Sequence, residues 1–130
     1  MANPNIVSVT SIVGGNAAWA LTNTITTTLM TVAADVIVKI NSLIVTNIHA
    51  TTAATVSVEV NGMGSGATGV TVNGPLATCR LASTMNVPAD DSLVLIDKPI
   101  YLMEDDILRG GASAASTLEL FASYEVINDA

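Results

Sequence analysis

The chain has 130 residues, half of them hydrophobic, 12% charged and only 3% aromatic, with a net charge of −7. That length supports one domain with a core of its own, and a single cysteine, Cys79, excludes an internal disulfide. Four lysines and arginines in all exclude the basic clusters that nucleic acid requires, and no apolar run approaches the length of a membrane helix.

Charge is unevenly placed. Residues 1–86 hold only Asp35, Lys39, Glu59 and Arg80, whereas residues 87–130 hold nine acids against Lys98 and Arg109. Either neighbours cover the charge-poor part, or hydroxyls and amides alone keep it in solution. We take cover by neighbours as the expectation, since a free surface usually carries mixed charge. With Trp19, Tyr101, Phe121 and Tyr124 the sole aromatics, the core is expected to be aliphatic.

The start, "MANPNIVSVT", lacks the basic and apolar regions of a cleaved signal, so a soluble chain without one is expected. Strands are predicted at 5–13 and 18–32, separated by "GGN" at 14–16. The second contains "LTNTITTTLMTV", with six threonines in twelve positions and no charge. As a strand it sets Thr22, Thr24, Thr26 and Thr28 on one side as a comb, because β-branched threonine favours extended backbone. A strand so long and unguarded, without lysine or proline between Leu21 and Val32, is expected at an edge, facing another chain.

Further strands follow at 35–48, 53–61, 77–87, 92–96, 99–103, 106–112 and 116–127. In 35–48, Val36, Val38, Ile40 and Ile44 are set against Ile37, Leu43 and Val45, which reads as a central strand. In 53–61, Ala54, Val56, Val58 and Val60 alternate with Thr55, Ser57, Glu59 and Asn61, the pattern of a half-buried strand. The last strand puts Leu118, Leu120, Ala122, Tyr124 and Val126 on one face and Glu119, Phe121, Ser123 and Glu125 on the other. Phe121 is therefore expected outside the core, as an interface anchor. The glycine-rich stretch 61–74, which opens with "NGMGSGATG", reads as a mobile loop. Many short alternating strands without a helical stripe predict an all-β antiparallel sandwich, jelly-roll-like, in one domain over 1–130. Residues 1–34 would form an N-terminal arm with the edge strand.

No motif carries a reaction, and no catalytic, cofactor-binding or metal residue is predicted. His49 and Cys79 stand thirty residues apart outside any nucleophile motif. "VPADDS" and "MEDDIL" are rich in carboxylates but lack the alternating ligands and glycine of a calcium loop. "GMGSGATG" lacks the lysine of a phosphate-binding loop.

Two longer stretches carry a resemblance. "VKINSLIVTNIHATTAATVSVEV" resembles a recurring strand–loop–strand of tailed-phage virion structural proteins. "LASTMNVPADDSLVLIDKPIYLMEDDILRGGAS" is similar to its continuation, with a "VPA" turn, "PIYL" and an acidic turn, before the terminal "LELFASYEVI". The likeness covers about residues 35–127. One departure is Gly110–Gly111, where β-branched residues are usual, and it is expected to loosen or bulge that strand.

The resemblance implies a non-enzymatic structural protein of a phage virion, and the outer surface of the head is the expected place. The role expected is decoration or cement, without cofactor, bound to the major capsid protein or other virion proteins as a small homo-oligomer such as a trimer. The alternatives are a neck, tail or fibre component, or a receptor- or carbohydrate-binding module. Trp19, Thr22, Thr24, Thr26, Thr28 and Phe121 are the candidate interface residues; nucleic acid and membrane are not expected partners.

Overall fold

The computed structural model describes residues 10–62 and 71–128, and their regular structure is entirely strand. The strands are β1 (Ser11–Ala20), β2 (Thr28–Thr31), β3 (Val36–Asn47), β4 (Ala54–Asn61), β5 (Thr78–Val87), β6 (Ser92–Ile96), β7 (Ile100–Leu102), β8 (Ile107–Ala112) and β9 (Leu118–Asn128). Sheet A has the order β1–β9–β3, with β6 and β7 taking successive stretches of the far edge of β3. Sheet B has the order β2–β8–β4–β5, and every pairing in both sheets is antiparallel.

These pairings describe one long hairpin rolled up. β1 pairs with β9, β2 with β8, β3 with β6 and β7, and β4 with β5, so the chain doubles back around the segment between β4 and β5. Rolling then brings β9 onto β3 and β8 onto β4. That is the jelly roll, a double-sheet sandwich with eight strand positions in which β6 and β7 share one.

The core lies between the sheets and is aliphatic. Leu118, Leu120 and Ala122 of β9 meet Val56 and Val58 of β4, Leu108 of β8 and the inward residues of β3. A bulge between Ile40 and Ser42 shifts the alternation of β3, so Val38, Ile40, Leu43 and Val45 all point inward. Ile44, grouped with Ile40 in the sequence pattern, consequently faces outward. Strand β4 is buried on both faces rather than half-buried, because Ser57 and Glu59 on its outer side are covered as well.

The first thirty residues depart most from expectation. The predicted break at Gly14, Gly15 and Asn16 lies inside β1, and the strand predicted over 18–32 is divided. Gly15 serves packing here: it faces Tyr124 across the ladder, and an added Cβ would come within 3.0 Å of that ring. β1 ends at Ala20, residues 21–27 cross to the other sheet, and β2 is only four residues long. Positions 5–9 and 63–70, within the predicted first strand and the glycine-rich loop, lie outside the described residues.

Candidate interaction surface

Strand alternation decides which face of sheet A each residue meets. With Leu120 and Ala122 in the core, Phe121 must point outward, and it is 42% exposed. Its direct cross-strand neighbours are Ala18 on β1 and Ile44 on β3, and Ile44 in turn faces Val94 on β6, itself 54% exposed. Ala18, Phe121, Ile44 and Val94 therefore form one apolar row straight across the outer face of the sheet.

The flanking rows are polar. On one side stand Asn16, Ser123 and Ser42; on the other, Ala20, Glu119, Thr46 and Ser92. Beside Phe121 lies a depression of about 340 Å³ lined by Ala18, Ala20, Thr46 and Glu119, with Trp19 and Leu120 of the same two strands, β1 and β9, also contributing. An apolar band inside a polar border is the arrangement by which exposed patches engage other macromolecules.

The other candidate residues divide. Trp19 packs against the core from the inner side of β1, so it is not an exposed anchor. Thr22, Thr24, Thr26 and Thr28 are exposed, but the first three sit in the crossing turn and form no comb. Thr27 N–H donates to Thr24 O (3.2 Å), the Thr27 hydroxyl donates to the same carbonyl (2.8 Å), and the Thr22 and Thr27 hydroxyls are 2.7 Å apart. Thr24 N–H donates to Thr22 Oγ1 at 3.3 Å. These hydroxyls take part in the bonding of a tight turn, a familiar use of threonine outside regular structure.

That turn also corrects the expectation for Gly110 and Gly111. β8 pairs with β4 without any register break. On its other side Ala112 N–H donates to Thr22 O and Gly110 N–H to Thr27 O, so the extra length bulges out of the crossing segment instead. The division of charge along the sequence does not become a division of faces either. The acid-rich C-terminal part supplies β8 and β9, each flanked on both sides by strands from the charge-poor part.

His49, Glu59, Glu104 and Asp106, among the residues with potential for chemistry, are engaged in holding the fold. His49 Nδ1 accepts from Thr51 and Thr52 N–H at 3.2 and 3.1 Å, and buried Asn47 bridges to Thr52 O, Val87 O and His49 N–H. Cys79 faces Val60 at the end of β4, while His49 precedes its start, so the two are at opposite ends of the sandwich. Glu104 accepts from Asp35 N–H at 3.0 Å, and Asp106 from Met103 N–H at 2.9 Å. Burial pushes the Asp106 carboxyl above its ordinary range; the bond from Met103 opposes this and the charge of Asp105 adds to it. Glu59 is paired with Arg109 on the outer face of sheet B.

Alternation along β9 is sufficient to place Phe121. The participation of Ala18, Ile44 and Val94 depends on the register between strands and on the β3 bulge, which no local pattern reveals. No protein-family model matches the chain, and neither a curated protein nor a solved structure does.

Proposed function

We propose that the chain is a non-enzymatic structural protein of a bacteriophage virion, a decoration or cement protein bound on the outside of the head shell to the major capsid protein. The observation that carries this reading is the apolar row Ala18–Phe121–Ile44–Val94, an exposed band suited to lying against another protein surface. The likeness of residues 35–127 to tailed-phage virion proteins supports the same reading. So does the engagement of His49, Glu104 and Asp106 in backbone hydrogen bonds, which gives those side chains a structural task. The jelly-roll fold is compatible with capsid work but common to many functions, so it adds little by itself.

Quantitative mass spectrometry of purified particles of the encoding phage tests the proposal. A copy number comparable with that of the shell subunits, together with heads that become fragile when the protein is stripped away, is the expected result. A copy number of a single ring assigns the chain to the neck or tail instead. Absence from purified particles overturns the reading altogether.

A further inference from the structure

The two sheets have four edges, and three of them are guarded in ways that prevent strands of other chains from adding on. β2 is four residues long with a register shift between Thr28 and Met30. β5 breaks register twice against β4, carries Arg80 and holds Thr84 at a φ of 47°. The β6–β7 edge is interrupted by Asp97, Lys98 and Pro99. β1 has none of these devices: ten residues, "SIVGGNAAWA", run in unbroken register with β9, without charge or proline. Among the described residues no strand pairs with its outer edge.

The ladder shows which groups on that edge are open. Leu21 N–H donates to Leu118 O at 3.0 Å, in register with β1 and β9. Antiparallel alternation then directs the bonds of the odd-numbered residues to β9 and turns the N–H and C=O of Ile12, Gly14, Asn16, Ala18 and Ala20 outward. This open set is symmetric about Asn16.

We propose that β1 is a homodimerisation strand: a second copy of this chain pairs with it antiparallel about a two-fold axis at Asn16, joining two A sheets into one. Ile12 then faces Ala20 of the other copy, Gly14 faces Ala18, and Asn16 faces its own counterpart. This register places every open residue of both strands in a mutual pair. It also sets Val13 opposite Trp19, giving cross-strand neighbours to Ile12 and Val13, which are 59% and 58% exposed in the single chain.

Charge at the seam does not oppose a copy of the same chain as occupant, in spite of the net −7. Neither strand brings a charge to the seam. The nearest carboxylates, Glu119 beside Ala20 and Glu125 beside Gly14, fall in line with the Ile12 and Ala18 rows of the other copy rather than with each other. The two-fold character follows from isologous pairing, in which the same patch serves on both sides. The inference stands apart from the virion reading.

The test is native mass spectrometry of the full chain, with three variants. Wild type is expected at the mass of two chains. Ala18→Pro removes an outward N–H while leaving the β9 ladder intact, and should give folded monomer with an unchanged circular dichroism spectrum. Should that variant fail to fold, crosslinking decides: in a Cys79→Ser background, Asn16→Cys should oxidise to a covalent dimer. Its Cα atoms would be about 5.5 Å apart in such a pair, within disulfide reach. A wild-type mass of one or three chains overturns the proposal. So does a dimer that survives Ala18→Pro, or the absence of the Asn16→Cys crosslink. If the wild type is monomeric and deletion of residues 1–9 produces the dimer, the chain's own N-terminal segment covers the edge, and the proposal is equally overturned.

Discussion

The carbonyl of Thr24 rests on Gly111. A Cβ at that glycine would lie 2.5 Å from Thr24 O and 2.9 Å from Ile25 Cα, all of it backbone with no side chain able to swing aside. The close approach lets the threonine turn fold down on β8 while Thr22 and Thr27 keep their bonds to Ala112 and Gly110.

Gly111→Ala should therefore cost about 2 kcal/mol, as overpacking against rigid surroundings does. Gly15→Ala is the informative comparison. Its Cβ would meet only the far end of the Tyr124 ring, which can move, so the loss should be smaller. Urea denaturation of both variants measures the difference, and equal losses would refute this account of the turn.

The outer side of sheet B contains an ion pair with little water. Glu59 is buried and accepts two donors from Arg109, whose side chain is 21% exposed. Arg109→Met should destabilise by about 3 kcal/mol, because it strands a carboxylate that has lost its partner. Glu59→Leu combined with Arg109→Met should recover most of that loss. A double variant no more stable than Arg109→Met alone would mean the cost lies in packing rather than in the orphaned charge.

From residue 35 onward the fold was legible in the sequence, since alternation and turn residues placed every strand to within two residues at each end. Before it, local rules failed for identifiable reasons. Gly14–Gly15 resembles a turn, yet Gly15 makes room for Tyr124, a residue more than a hundred positions away. Threonines that favour strands are drawn into a turn because their hydroxyls can bond its backbone. The exposed face of Phe121 followed from period two, whereas the apolar row it belongs to needed the long-range register. The expected edge position is found, since residues 18–20 in β1 and 28–31 in β2 both lie at sheet edges, but the long strand without lysine or proline is 11–20 rather than 18–32.

The pH dependence of stability should carry a contribution from Asp106. Its pKa in the folded chain is raised above the ordinary 3.8, so between those two values the folded state binds more proton than the unfolded one. Its stabilising contribution is fully present below the ordinary value and is lost as pH rises through the raised one. Asp106→Asn retains an acceptor for Met103 N–H but cannot ionise. The variant should gain stability relative to wild type as pH rises across that window and hold the gain above it. Thermal melts in parallel buffers measure the difference, and a gap that stays flat or narrows with rising pH would show that burial is not the dominant influence on this carboxyl.

Phe121 offers the separation of folding from assembly. Its ring stands outside the core and is 42% exposed, so truncation removes only the part of its burial provided by neighbours such as Ala18 and Ile44. Phe121→Ala should lower stability by no more than about 1 kcal/mol, below the ordinary cost of a core aromatic. If the apolar row is the surface that meets a capsid or another virion protein, an aromatic near its middle should be an anchor, and its loss should weaken binding by about thirtyfold or more. Sedimentation of purified heads with wild-type and variant protein measures that loss, and urea denaturation measures the first quantity. Binding unchanged in the variant would remove the row from the interface and leave Phe121 an exposed ring without a partner. A stability loss of core size would instead show that a second layer covers it, contrary to its exposure on the outer face of sheet A.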